Sequence, residues 1–376
     1  MLSESPLRLV VLGLSITSSW GNGHATTYRA LLRALARLGH DVLFLERDLP
    51  WYADNRDLPS PDYARVELYA SPEQLKQRHR AEIRDADLVV VGSYVPDGIE
   101  IGNWVTRSAR GVCAFYDIDT PETLSQLESD RPLYLSRALI PRYGLYLSFT
   151  GGPALELLER KYGAPRARPL YCSADAEMYR PEPPDLHWDL GYMGTYSADR
   201  QPGLERLLLQ AAAADRQSRF IVAGPQYPEA IDWPGNVTRI AHLPPDQHRS
   251  FYNRQRFTLN LTRSRMREMG YSPSVRLFEA AACATPIISD AWPGLETLFT
   301  PNEEILIAES TRDTLEYLHT LSERERLAIG ARARERMLNE HTSEHRAREL
   351  LGYVAEVAGA ARAVDRAPAL RGGASS

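Results

Sequence analysis

Lysine is nearly missing from this 376-residue chain, which carries 44 basic residues but only Lys76 and Lys161 as lysines. A phosphate site in the C-terminal half must therefore be built from arginine or backbone N–H groups. Schiff-base chemistry is disfavoured, and no Gly-x4-Gly-Lys loop is present. Cysteine is scarce as well. Cys113, Cys172 and Cys283 are odd in number, far apart and set in apolar sequence, which reads as small buried residues in a reducing compartment. No apolar run approaches membrane-spanning length. The N-terminus, MLSESPLRLVVLG, has an acidic residue, an early proline and no cleavage-site pattern, so the expectation is a soluble, cytoplasmic protein without a signal peptide. A net charge of −5 gives no whole-chain attraction to nucleic acid or to anionic membrane.

What is present is enough apolar sequence for two packed cores: 43% hydrophobic and 9% aromatic residues over a length suited to two domains. Near-continuous apolar runs at Arg8 to Gly13, Asp41 to Glu46, Leu88 to Gly92, Val112 to Tyr116, Leu145 to Phe149 and Pro169 to Cys172 predict a parallel sheet covered on both faces. Between the second and third runs, residues 50–80 read as polar and irregular, with few helix signals until about Pro72. The predicted fold class is α/β, with a first Rossmann-like domain over 1–174 and a Pro- and acid-rich linker over 175–189. A second Rossmann-like domain covers 190–341. A last amphipathic helix spans 342–364, and a disordered tail covers 365–376.

The densest signal lies between residues 258 and 296. A short buried strand, Phe257 to Leu261, is followed by a polar loop carrying Arg263, Arg265 and Arg267, and then by a helix start. Ser272 is the expected N-cap and Pro273 suits the first helical position, with Ser274, Val275, Arg276 and Glu279 following. Free N–H groups and the positive end of a helix dipole favour phosphate at such a spot. A ribose diol on Glu279 would complete a nucleotide diphosphate lying along the first turns. The alternative is an ordinary strand–helix unit in which Ser-Pro merely caps.

Other candidates fall at strand ends, where ligands gather in open α/β sheets. Asp117 and Asp119 in YDIDTP alternate on an extended segment, so both carboxylates are expected to face the cleft, and either is a candidate general base. The alternative for Asp119 is a helix cap. SSWGNGH lacks the third glycine of a dinucleotide fingerprint, because Thr26 stands there. Gly194 and Thr195 open the first loop of the second domain, and Arg200 is a candidate phosphate partner. Gly224 with Pro225, and His242 with Leu243, mark two further strand ends. His341 and His345 read as part of a solvated helix, with no third metal ligand nearby.

GYSPSVRLFEAAACATPIISD preceded by LNLTRSRM, together with FYDIDTPETL and SSWGNGH, resembles the GT-B glycosyltransferases, in particular the CgeB-like spore-maturation branch of the group 1 family. The resemblance spans most of the chain in the right order. It implies two Rossmann-like domains facing across a cleft, with the last helix crossing back onto the first. It implies that Asn22, Gly23 and His24 lie beside the donor diphosphate and the acceptor, with His24 a further catalytic candidate beside the two aspartates, that the His242–Leu243 loop holds the base, and that Glu279 holds the donor ribose. The partner of Glu279 in the wider retaining group is a second Glu eight positions earlier; here Tyr271 stands at that position. The implied activity is transfer of a sugar, most readily from a UDP-sugar, to an acceptor that is a glycan, protein, lipid or small molecule, without metal or other cofactor. Two rivals are a sugar-nucleotide epimerase and a non-catalytic nucleotide- or glycan-binding protein of spore-coat type.

Overall fold

The apolar runs become strands except Pro169 to Cys172, where the strand is Ala167–Pro169 and most of the run lies beyond it; their side chains alternate between two cores. In β1 (Arg8–Gly13), Leu9 and Val11 pack on one face of the sheet while Val10 and Leu12 pack on the other. A strand buried on both faces must be covered by helices on both sides, which suits parallel pairing. The computed structural model describes residues 5–129 and 131–366. Besides β1, the first sheet contains β2 (Asp41–Arg47), β3 (Arg65–Tyr69), β4 (Leu88–Gly92), β5 (Val112–Asp117), β6 (Leu145–Ser148) and β7 (Ala167–Pro169). They are all parallel, in the order β3-β2-β1-β4-β5-β6-β7.

The second sheet is laid out on the same plan. Its strands are β8 (Trp188–Met193), β9 (Phe220–Ala223), β10 (Val237–Ile240), β11 (Gln255–Asn260), β12 (Ile287–Ser289) and β13 (Leu306–Ile307). They too are parallel, in the order β10-β9-β8-β11-β12-β13. Strand order therefore reverses direction once in each sheet, between β1 and β4 and between β8 and β11. At such a point neighbouring loops part and leave a crevice.

The helix Ser343–Arg366 returns from the second sheet to the first, where Ala347, Leu350, Leu351 and Val354 join the core of Val11 and Leu35. Burying its leucines and valine contributes roughly 1.5–3 kcal/mol each, which binds the end of the chain to the first domain. This is the crossing helix expected from the sequence, extended by two residues past 364; the rest of the expected tail, 367–376, lies outside the described residues.

Several local expectations need correction. Residues 50–71 are not irregular, since they hold the helix Pro50–Ala53 and β3, while the helix signalled from about Pro72 is present as Pro72–Arg78. β3 is an edge strand in which only Tyr69 is fully buried, so its sequence, RVELY, carries little apolar signal. The stretch after Ala174 is not a loose linker. Tyr179 is buried, Asp175 pairs with Arg33 at 3.0 Å, and Ala174 bridges to Thr342. The polar loop after β11 contains a helix, Ser264–Met269, and the helix carrying Glu279 begins only at Val275. His341 is buried rather than solvated: its Nδ1 meets Arg346 at 2.7 Å, and burial pulls its pKa down to about 3.

Candidate active site

The two crevices face each other, and between them lies a cavity of about 390 Å³. Its first-domain wall is the loop from Ser15 to His24. Glu46, at the end of β2 and fully buried, holds this loop. Its carboxylate accepts from Ser15 Oγ at 2.8 Å, Ile16 N at 2.8 Å, Thr17 N at 3.1 Å and Thr17 Oγ1 at 2.6 Å. Asn22 is buried and donates to the carbonyls of Ser15 and Ser18, while its Oδ1 accepts from the His24 N–H. Asn22 thus shapes the loop while lining the cavity beside Gly23 and His24. The His24 Nδ1 is buried without a hydrogen-bond partner, and burial lowers the ring's pKa to about 4, so His24 is neutral near pH 7.

The second-domain wall is cationic. Arg200 donates to the Thr195 carbonyl at 2.6 Å, and its Nε has no partner. Burial lowers its pKa, and Arg276 and Arg263 nearby act in the same direction. Arg276 donates only to neutral oxygens: Asn260 Oδ1 at 3.0 Å, Ser274 Oγ at 3.1 Å and the Leu261 carbonyl at 3.3 Å. Neither guanidinium pairs with a carboxylate among the described residues. Val275 brings the start of its helix to the same wall, beside Gly194 and Thr195. Gly224, at φ +147, lies against the Gly194 carbonyl so closely that a Cβ would collide with it. That close packing of two loops leaves room only for glycine.

Glu279 closes the far end. It is 1% exposed and accepts from the Tyr179 and Tyr252 hydroxyls, each at 2.9 Å, with His248 Nδ1 3.9 Å away. Each carboxylate oxygen keeps a second lone pair, so Glu279 can still accept from a ligand hydroxyl. His242 and Leu243 line the same end, with the exposed Trp20 ring 4.9 Å from the His242 ring across the gap.

The paired aspartates part company. Asp117 does not face the cleft. It is fully buried, its Oδ2 accepting from Tyr146 Oη at 2.6 Å and its Oδ1 from Thr123 Oγ1 at 2.7 Å, and burial raises its pKa to about 6. The alternation of an extended strand stops at Asp117, where β5 ends, so the two carboxylates diverge. Asp119 stands at the N-cap position of the helix Thr120–Glu128 without capping it through its side chain. Its Oδ2 instead accepts from Tyr94 Oη at 2.9 Å and from Arg263 Nη1, across the domain gap, at 3.2 Å. Arg263 lines the cavity, so Asp119 reaches it through that guanidinium.

The residues around the expected helix start also redistribute. Ser272 is no cap; its Oγ meets Thr150 Oγ1 of the first domain at 2.9 Å. The Pro273 carbonyl accepts from Cys172 Sγ, and Ser274 holds the N-cap position while donating to Asn260 Oδ1 at 2.7 Å. Tyr271 does not line the cavity. At φ +49 its ring wedges between Gly152 and Gly294, leaving no room for a Cβ on either glycine.

Sequence reasoning passed over Tyr94, Tyr179, Tyr252 and His248. Tyr179 sat in the stretch taken as linker, and Tyr94 owes its aim to a left-handed backbone, φ +63, after β4. A tyrosine just past an apolar strand at a reversal of strand order is the one local signal that pointed to it. Among the described residues, no group of three or more His, Cys, Asp or Glu is placed to hold a metal ion, and no helix is long and apolar enough to cross a membrane.

Residues 200–352 match the family model described as glycosyl transferase-like. Among solved structures, the chain is similar to sucrose-phosphate synthase from Thermosynechococcus elongatus, at 16% identity and TM-score 0.68 over 94% of this chain and 99% of that one. Anabaena HepE in complex with UDP-glucose matches at 14% identity and TM-score 0.67, over 94% of this chain and all of that one. An alpha-glucosyltransferase in complex with UDP-glucose and DNA containing an abasic site matches at 12% identity and TM-score 0.68, over 93% and 100%. At these identities the likeness is one of fold, the GT-B architecture. No curated protein matches the chain by sequence.

Proposed function

We propose that this protein is a glycosyltransferase that moves a sugar, a hexose in the first instance, from a nucleoside-diphosphate donor to an acceptor hydroxyl. The observation that carries this reading is the pair Arg200 and Arg276, two guanidinium groups lining one cavity that meet only neutral oxygens. A half-buried cation without a counter-charge is costly, and an anion supplied by a ligand would remove that cost. A diphosphate would take the place of that counter-charge, with Glu279, which lines the same cavity, accepting from the ribose hydroxyls. A UDP-sugar is the favoured donor, because similar structures are complexes with UDP or UDP-glucose.

As the anomeric C–O bond breaks, negative charge grows on the leaving diphosphate, and Arg200, Arg276 and the N–H groups around Val275 would stabilise it without a metal. Asp119 would take the proton of the acceptor hydroxyl. It pairs with Arg263, which lines the cavity; retention of configuration is part of the proposal through the family resemblance alone. The resemblance to the CgeB-like branch and a cytoplasmic setting, suited to the unpaired Cys113, Cys172 and Cys283, belong to the same proposal.

The test is a thermal-shift panel of UDP, GDP, dTDP, ADP and CDP on the wild type, Arg276→Ala and Glu279→Gln. A nucleotide at a hundred times its Kd stabilises by roughly 2.7 kcal/mol. One nucleotide should shift the wild type clearly and both variants far less. No shift with any of the five would refute the reading.

A further inference from the structure

The pair formed by Asp119 and Arg263 spans the two domains, and each member has a second task that the pair obstructs. Arg263 lines the anion cavity with Arg200 and Arg276, yet its Nη1 is held by a carboxylate at 3.2 Å. Asp119 is the acidic group available for an acceptor hydroxyl, yet its Oδ2 is occupied by that guanidinium and by Tyr94 Oη. The side chain of Arg263 is 39% exposed and that of Asp119 15%, so the arginine is the partner with freedom to move. Arg265 and Glu122 form a parallel bridge across the same gap at 2.8 Å. That bridge, with the contact of Thr150 on Ser272, keeps the domains apposed when Arg263 turns away.

Resting on the transferase reading above, we propose that Asp119 and Arg263 are an exchangeable pair: the donor's diphosphate takes Arg263, and only then is Asp119 open to the acceptor. Donor binding and unmasking of the base are one event, and the donor binds first. Tyr94 stays on Asp119 as the positioning residue, its left-handed backbone aiming the hydroxyl at the carboxylate. In the transfer itself the acceptor O–H gives its proton to Asp119 and its oxygen bonds to the anomeric carbon. The anomeric C–O bond to the diphosphate breaks, its electron pair leaving with the phosphate oxygen.

Exposed ion pairs contribute little, so the exchange should be visible but small. Losing the cation also makes Asp119 a stronger base. Burial already raises its pKa while Arg263 and the Tyr94 hydrogen bond oppose that rise, and Glu122 adds a like charge nearby.

The exchange is tested by UDP affinity, measured by calorimetry on the full chain. Asp119→Asn removes the closer carboxylate from Arg263, leaving Asp199 at 3.9 Å, and should tighten UDP about two- to fivefold. Arg263→Ala should weaken UDP about tenfold, the loss of one charge-assisted contact. In the Arg263→Ala background, Asp119→Asn should change nothing. Glu128→Gln removes a surface negative charge of the same helix, one paired with Lys161 and outside the domain gap, and should leave UDP affinity unchanged. Equal tightening by Glu128→Gln, or unchanged or weakened binding in Asp119→Asn, overturns the exchange while leaving the transferase reading intact. Absence of UDP binding to every form, wild type included, overturns both.

Discussion

The two sheets have the same strand order, but the charged groups at their C-terminal edges are treated in opposite ways. At the first edge, Glu46 and Asp117 are fully buried and enclosed by hydroxyl and N–H donors from their own domain. At the second, Arg200 and Arg276 line an open cavity and meet only neutral oxygens. Charge at a strand end is therefore no guide to function by itself. What separates a structural group from a ligand-binding one is whether the protein has already supplied its partners. Asp119 and Arg263 form the intermediate case, each satisfied by the other across the gap.

If that contrast holds, substitutions at the two edges should fail in different assays. The largest effect is expected from Asp117→Ala, which orphans the Tyr146 and Thr123 hydroxyls at about 1–3 kcal/mol each. Urea melts should show a loss of about 3 kcal/mol, with nucleotide affinity unchanged in the folded fraction.

The pH dependence sharpens the same point. Burial raises the Asp117 carboxyl from 3.8 to about 6, so the folded state binds its proton more tightly than the unfolded chain does. Its stabilising contribution is complete below the unfolded pKa and is lost as pH rises through the folded one. Between about pH 4 and pH 7 the wild type should lose roughly 3 kcal/mol relative to Asp117→Asn, which has no such proton. His24 and His341, pulled down by burial to about 4 and about 3, run in the opposite sense in this window. The difference between the two proteins, rather than either curve alone, isolates Asp117.

At the second edge, Arg276→Ala should weaken nucleoside-diphosphate binding about tenfold to a hundredfold, equivalent to roughly 1.5–3 kcal/mol. Chemical denaturation should find its stability within about 0.5 kcal/mol of wild type. A large stability loss in Arg276→Ala would erase the contrast between the edges. The smallest effect is expected from Trp51→Ala, since that ring is 56% exposed and belongs to neither edge's network. Both melts and UDP titrations should leave it indistinguishable from wild type.

The sequence made the two-sheet plan legible because its strands are buried on both faces. Runs such as Leu88–Gly92 and Leu145–Ser148 can be read without knowing their neighbours. β3 was lost because an edge strand needs no apolar run. The arginines of the second edge were legible for a compositional reason: with lysine confined to residues 76 and 161, any side-chain cation in the later half of the chain had to be arginine or histidine. The helix start was placed two residues early because Ser-Pro is a good local cap, whereas Ser272 is engaged by Thr150 of the other domain.

The sequence by itself determined the fold class, the return of the last helix to the first domain, and the placing of Arg263, Arg276 and Glu279 on one strand–loop–helix stretch. These follow from periodicity, residue type and resemblance, which act over short stretches. Only the tertiary structure decided that Asp117 is walled in while Asp119 reaches Arg263, that Tyr271 is a wedge between domains, and that Tyr179 and Tyr252 hold Glu279. Each of these depends on partners 27 to 144 residues away in the chain or on a backbone turned to positive φ. Which donor meets which acceptor at such distances is set by how the two sheets pack together.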